Sequence, residues 1–173
     1  MSANRRYDRG RKPLYTSAQK ARRDRSAWTS VQAVLAPVQF FVFLVSLALI
    51  LRYLATGAGE TAATSSVVVK TMSLYAIMIT GSLWEKAVFD RYLFAPAFFW
   101  EDVFSMLVLA LHTAYLAALI RGWLDPAGLM ILALAAYAAY AINAGQFLLK
   151  LRAARLQSAD SALMSLPQTE GAQ

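Results

Sequence analysis

The chain has 173 residues and a formal net charge of +7, with 58% of its residues hydrophobic and only 16% charged. Soluble domains average about 45–50% apolar and about 25% charged residues, so this composition indicates a protein of the lipid bilayer. The lack of Cys excludes a disulfide framework, a thiolate zinc site and a Cys nucleophile, and the single His, His112, excludes a multi-histidine metal site within one chain.

The N-terminal segment is strongly basic. Residues 1–30 hold nine Lys and Arg residues against two Asp residues, whereas the rest of the chain is balanced in charge. A basic run can bind nucleic acid, but no interleaved aromatic platform accompanies this one. Because a hydrophobic run follows, we interpret it as a topology signal that also contacts anionic lipid. We therefore predict a basic cytoplasmic segment over residues 1–29 and no nucleic-acid partner.

Four apolar runs follow, at about residues 26–51, 66–84, 103–120 and 129–149. Each is about as long as a helix needs to cross roughly 30 Å of hydrocarbon. Lys70 lies near the outer end of the second run, where we expect its amine to reach the headgroups. The predicted fold class is all-α, an integral membrane bundle of four transmembrane helices over residues 30–156. Residues 157–173 are polar and are predicted to form a disordered tail.

The distribution of basic residues predicts the orientation. With four spans, the termini and the central connection share one side and hold fourteen of the 17 Lys and Arg residues. Cytoplasmic segments carry the excess of Lys and Arg. Both termini are therefore predicted to be cytoplasmic.

The central connection contains three carboxylates that we single out as candidate catalytic groups: Glu85, Glu101 and Asp102. Acidic groups beside a bilayer are costly to desolvate, so they mark a functional site by default. Two acids in unlike environments are what general acid–base chemistry requires. A structural explanation is also open, because Glu101 and Asp102 begin a helix, where the dipole favours negative charge. Glu85 beside Lys86 could likewise be a solvated pair.

A polar stripe follows the third span at helical spacing: Glu101, Ser105, Val108, His112 and Tyr115. Glu101 and His112 are eleven residues apart, or ~16 Å along a helix, so they could contact opposite ends of one flat ligand. A bundle hydrogen bond is the equally open alternative for His112. For Asn143 and Gln146 in the fourth span we favour hydrogen bonds between helices.

Longer stretches of the sequence are recognisable. The run WEKAVFDRYLFAPAFFWEDVFSMLVLALHTAYLAALI, together with APVQFFVFLVSLALILRYLATG, VVVKTMSLYAIMITGS and AYAINAGQFLLKLRAARLQ, resembles the 3-vinyl bacteriochlorophyllide hydratase family of phototrophic bacteria. The resemblance covers roughly residues 14–157. The entry LYTSAQKARRDRSAW departs from the family, since Ser17, Ala18 and Ala27 stand where the family usually has Pro, Glu and Pro.

The resemblance implies a hydro-lyase of the bacterial inner membrane. Such enzymes add water to the C3 vinyl group of chlorophyllide or bacteriochlorophyllide, on the route to bacteriochlorophyll a, and give a 1-hydroxyethyl group. No cofactor is expected, which agrees with the lack of a Gly-rich phosphate loop. Glu85, Glu101 and Asp102 would supply the acid and the base, without an assignment of which is which.

The implied substrate is a flat apolar ring that carries its own magnesium and a propionate. The aromatic candidates for stacking on it are Trp84, Phe98, Phe99 and Trp100. Lys86 or Arg91 could pair with the propionate, and His112 could contact the magnesium, with no metal site of the protein's own. Membrane lipid is the other expected partner, and pigment-biosynthesis enzymes or a second copy are further candidates.

Two other classes of protein stay open. A non-catalytic pigment-binding or assembly factor would use the same aromatics and His112 without needing Glu101 and Asp102. A small transporter subunit would need polar groups across the whole membrane, whereas here they lie mainly in one half.

Overall fold

The computed structural model describes residues 14–164, which form five helices and no strand. The five helices are α1 (Ser17–Arg25), α2 (Ala27–Thr56), α3 (Glu60–Phe89), α4 (Phe99–Arg121) and α5 (Pro126–Met164). Four segments are long and apolar enough to cross a membrane: α2, α3, α4 and Pro126–Ala153 of α5. The predicted all-α fold with four spans is therefore confirmed.

The helices extend beyond the apolar runs because polar residues continue them at both ends. α2 and α3 each have 30 residues and are joined by a tight turn at Gly57 and Gly59, whose φ angles are 70° and 90°. Only glycine adopts such left-handed conformations without strain. α5 continues to Met164, and residues 165–173 lie outside the described part, so the disorder of the tail stays a prediction.

α1 is a short helix that the apolar pattern did not predict. A capping box begins it, in which the Gln19 N–H donates to Thr16 Oγ1 (3.2 Å) and the Thr16 N–H donates to Gln19 Oε1 (2.8 Å). The Tyr15 ring stacks on Phe89 at the end of α3, at a centroid distance of 5.8 Å. Residues 14–25 of the basic segment are thereby attached to the bundle, while residues 1–13 lie outside the described range.

The bundle is built from two antiparallel hairpins, α2–α3 and α4–α5, that pack on each other. Small residues such as Ala133 and Ala136 are fully buried in α5, which permits close approach of the helices. A polar chain links three helices: Tyr137 Oη donates to Ser46 Oγ (2.7 Å), which lies 2.6 Å from Ser66 Oγ. Large apolar side chains are exposed around the outside of the bundle, as on a surface that faces lipid.

The connection between α3 and α4 folds back into the bundle. Asp90 and Phe94 have φ angles of 64° and 59°, which are uncommon for residues other than glycine. The connection buries Ala95 and Phe98 and brings the end of α3 next to the start of α4. This end of the bundle, which also holds α1, is called the connection end below.

Candidate active site at the connection end

Two carboxyl groups meet where α3 ends and α4 begins. Glu85 is 5% exposed and Asp102 is 4% exposed, and the two side chains are close enough for their charges to interact. Two negative charges close together in a buried site repel each other, so this arrangement favours a state in which the two carboxyl groups hold one proton between them. We call Glu85 and Asp102 the carboxyl pair.

Backbone groups of the connection hold each member of the pair. The Phe94 N–H donates to Asp102 Oδ2 at 2.7 Å, and the Ala95 N–H donates to Glu85 Oε2 at 3.2 Å. Strained backbone conformations cluster at functional sites, and Phe94 is one of the two non-glycine residues described with a positive φ. The left-handed turn at Phe94 therefore helps to position both acids.

Glu101 has a different environment from its neighbour Asp102. Its Oε2 accepts a 2.6 Å hydrogen bond from Lys150 Nζ of α5, which forms an ion pair between the two helices. The Lys150 ammonium also lies 4.9 Å from the centre of the Phe98 ring. The three predicted acids are therefore brought to one end of the bundle, but Glu101 is committed to a cation whereas the carboxyl pair is not.

The predicted aromatic residues divide into two groups. Phe98 is buried and packs on Trp84, Phe89 and Phe147 at centroid distances of 5.6, 5.8 and 5.9 Å. Trp84 is fixed from the other side, because its Nε1 donates to Thr29 Oγ1 at 3.0 Å. These side chains form a packed floor beside the carboxyl pair.

The second aromatic group is exposed. Phe99 is 45% exposed and Trp100 is 67% exposed, with their rings 5.6 Å apart, and the Phe94 ring lies 5.8 Å from Phe99. These rings form an exposed apolar surface at the start of α4. A ligand that arrives from the bilayer could contact them without any repacking of the floor.

The two predicted partners for a propionate are at the surface. Lys86 Nζ donates to Asp90 Oδ1 at 2.7 Å, and this hydrogen bond lowers the pKa of the exposed Asp90 carboxyl. Arg91 is exposed beside them. Lys86 is therefore already paired, and neither side chain is buried next to the carboxyl pair.

Amide side chains line the bundle one turn deeper than the acids. Asn143 Nδ2 donates to Ser105 Oγ at 2.8 Å, which confirms the predicted bond between helices. Asn143 Oδ1 and Gln146 Oε1 are buried acceptors without a partner among residues 14–164. The predicted interhelical bond of Gln146 is thus missing at this oxygen, and two acceptors remain for a water or a ligand.

His112 is fully buried near the middle of α4. Its Nδ1 lies 2.8 Å from the carbonyl oxygen of Val108, and its ring stacks on Tyr137 at 5.8 Å. A nitrogen next to a carbonyl oxygen must carry the hydrogen, so Nε2 of the neutral ring keeps a lone pair. Within the described residues Nε2 has no partner. His112 therefore combines a structural hydrogen bond with an unused electron-pair donor.

The expectation that Lys70 reaches the headgroups is wrong. Its side chain is 0% exposed, and its ammonium lies 3.7 Å from the centre of the Tyr140 ring inside the bundle. The buried residues of α3 include Val67, Thr71 and Leu74, which share one helical face with Lys70. Lys70 therefore lies on the buried face of α3.

The fold and the site define an integral membrane protein with a buried carboxyl pair at one end of a four-helix bundle, an arrangement suited to proton transfer. The chain belongs to the 2-vinyl bacteriochlorophyllide hydratase family, whose model matches residues 15–153. This match confirms the resemblance seen in the sequence.

Two curated relatives agree with the family match. A protein of Rhodobacter capsulatus named 2-vinyl bacteriochlorophyllide hydratase is 64% identical over 149 residues, 86% of this chain and 86% of its own length. A protein of Cereibacter sphaeroides with the same name is 65% identical over 144 residues, 83% of this chain and 89% of its own length. No solved structure matches the chain.

Proposed function

We propose that this protein is a hydratase that adds water to the vinyl group of a bacteriochlorophyllide or chlorophyllide in bacteriochlorophyll synthesis. The family name numbers the vinyl position 2, which is position 3 in the systematic numbering of the macrocycle. The similarity to two relatives of that name supports the substrate class. The observation that carries the chemistry is the carboxyl pair, Glu85 and Asp102, buried where one proton can be shared.

Hydration of a vinyl group needs an acid and a base in turn. The protonated carboxyl donates its proton to the terminal vinyl carbon, whose π electrons form the new C–H bond. The cation left on the inner carbon is delocalised into the macrocycle. A water molecule forms the C–O bond there and gives its surplus proton to the ionised carboxylate. One water is consumed, and the pair again holds one proton, so no other reactant is required.

The two members of the pair act as a unit. Coupled acids titrate as a pair, so the acid role is assigned to Glu85 and Asp102 together. Glu101 serves as a positioning residue in this proposal, because its ion pair with Lys150 fixes α5 against the start of α4. Of the three candidate acids, only Glu85 and Asp102 are therefore proposed as catalytic groups.

The macrocycle enters from the bilayer across the exposed rings of Phe99 and Trp100 and presents its vinyl group to the carboxyl pair. His112 then ligates the magnesium of the substrate through its Nε2 lone pair. Its bond to Val108, one turn earlier in α4, leans the ring toward Asp102. This tilt shortens the ~15 Å of helix between Asp102 and His112, so one flat ring could contact both.

The orientation in the membrane follows from the distribution of basic residues. The connection end lies in the cytoplasm of a bacterial inner membrane, because the termini and the central connection together carry fourteen of the 17 basic residues of the sequence. An inner-leaflet site there receives a substrate that carries one ionised carboxylate and an apolar ring. The basic residues around it favour anionic lipid.

The test is an assay of membranes that contain the protein, supplied with chlorophyllide a. Hydration adds one water to the pigment by mass and shifts its absorption band to the blue, because the conjugation becomes shorter. Pigment that binds but returns unchanged would support the second candidate, a pigment-binding or assembly factor, which the unused Nε2 of His112 would also suit.

A further inference from the structure

The ammonium of Lys70 is a buried cation that lacks an anion. Its side chain is fully buried in the bundle, and Nζ has no hydrogen-bond acceptor in the described part of the chain. The Tyr140 ring, 3.7 Å away, is its nearest favourable contact. A cation–π contact offsets only part of the cost of removing a charge from water. Intramembrane cations of this kind mark binding sites or relays.

Other unsatisfied groups lie in the same part of the bundle as this ammonium. The imidazole of His112 is close enough for its charge interaction with Lys70 to matter, and its Nε2 is without a partner among residues 14–164. Gln39 Nε2, also buried and unpartnered in the described range, lies one turn before Phe43, whose ring is 5.0 Å from that of Tyr140. We call Gln39, Lys70, His112 and Tyr140 the Lys70 cluster.

The cluster presents two kinds of chemistry side by side. Lys70 and Gln39 are donors, and a carboxylate is the acceptor that a charged donor and an amide donor complement. His112 Nε2 offers a lone pair, which a Lewis-acidic metal ion complements. A ligand that satisfies the whole cluster carries both a carboxylate and a coordinated metal.

We propose that Lys70 binds the carboxylate of the substrate inside the bundle. This inference rests on the proposed function, because the proposed substrate carries both the magnesium and the propionate. The Lys70 ammonium contacts Tyr140, which lies one turn of α5 from Tyr137, on which the His112 ring stacks. The magnesium and the propionate of one macrocycle could therefore meet these two neighbouring groups.

The alternative cations fit this role less well. Lys86 is already paired with Asp90 and is exposed to solvent, and Arg91 is also exposed. An exposed ion pair contributes little to affinity or selectivity. A buried ammonium distinguishes an ionised carboxylate from its neutral ester, because the ester leaves the charge without a partner.

The test compares chlorophyllide a with its methyl ester in the wild-type protein and in two variants. In the wild type the ester should have a KM at least about 10-fold higher than the free acid, with a similar kcat, since breaking one buried charge pair costs at least that factor. Lys70→Met keeps the length of the side chain and its apolar packing. In Lys70→Met, the KM of the free acid should rise to that of the ester, while the KM and kcat of the ester should match those of the wild type.

Two further variants test which cation binds the carboxylate and serve as controls for misfolding. Lys70→Arg keeps the charge and should retain the preference for the free acid. Lys86→Met, the rival candidate, should retain it as well. A wild type that does not distinguish the two pigments, or a preference that survives Lys70→Met but disappears in Lys86→Met, would overturn the assignment.

Failure of the proposed function has a separate signature. If the wild type hydrates neither pigment, the proposed reaction fails, and the carboxylate preference is then measured by absorbance titration of binding. Tighter binding of the free acid that depends on Lys70 would uphold the site even so. Equal binding of the free acid and the ester would contradict the assignment of Lys70 as the residue that binds the carboxylate.

Discussion

Glu85 and Asp102, from two different helices, are held by adjacent backbone N–H groups, those of Ala95 and Phe94. The left-handed conformation of Phe94 belongs to the turn that aims these groups at the two acids. The connection between α3 and α4 therefore works as a template: it fixes the separation of two carboxyl groups without engaging either in an ion pair. Glu101, beside them in sequence, is neutralised by Lys150 and excluded from this arrangement.

Loss of the Glu101–Lys150 ion pair should affect stability more than chemistry. Glu101→Gln leaves the Lys150 ammonium without its carboxylate, and a hydrogen bond to a charged group is worth about 1.5–3 kcal/mol. Thermal unfolding in detergent should show a lower Tm, and turnover per folded molecule should stay within about 10-fold of the wild type. A large loss of turnover at unchanged Tm would make Glu101 a proton-transfer group.

Substitutions in the buried and in the exposed aromatic group should have different effects. Phe98→Ala removes a buried ring from the packed floor, and such changes cost about 3–5 kcal/mol, so less folded protein is expected in the membrane. Trp100→Ala removes an exposed ring and should leave Tm within a few degrees of the wild type. Its expected effect is a higher KM for the pigment. An unchanged KM would show that substrate does not pass over Trp100.

His112→Gln tests ligation of the substrate magnesium. Glutamine can keep a hydrogen bond but lacks the imidazole lone pair. Binding titrations should therefore show weaker binding of the magnesium pigment and no change for the magnesium-free pigment. Equal loss for both pigments, or no loss at all, would mean that His112 only supports the bundle.

The orientation can be measured with reporter fusions. Fusions at Gly59 and Asp125 should report the periplasmic side, and a fusion at Pro96 should report the cytoplasm. A cytoplasmic signal at Gly59 would reverse the proposed location of the active site.

Much of this molecule follows from its sequence. Four apolar runs of spanning length were enough to predict the bundle, because length and hydropathy decide whether a helix can cross a bilayer. The cost of placing acids beside lipid pointed to Glu85, Glu101 and Asp102, and the structure then separates Glu101 from the other two. Family resemblance supplied the reaction, which neither composition nor spacing contains.

Three features needed the structure. The nine-residue α1 has a local capping box but no buried residue, so only the structure shows that the contact of Tyr15 with Phe89 attaches this segment to the bundle. The partner of Glu101 lies in a distant helix, so no local pattern reveals it. The inward position of Lys70 depends on how α3 is rotated against its neighbours, and tertiary packing sets that rotation. Snorkelling was the reasonable expectation for an isolated helix, but here Tyr140 receives the ammonium.

The central claim is that the carboxyl pair carries the protons of the hydration step. The most direct measurement is hydration of chlorophyllide a in ¹⁸O-labelled water by the wild type, Glu85→Gln and Asp102→Asn, with pigment binding measured on the same samples. Each amide keeps the shape of the acid but cannot exchange the proton, and general acid–base catalysis contributes about 10²–10⁴-fold. The account predicts one labelled oxygen in the wild-type product, and a loss of that size in both variants with pigment binding retained. Near-normal hydration in both amide variants would contradict it.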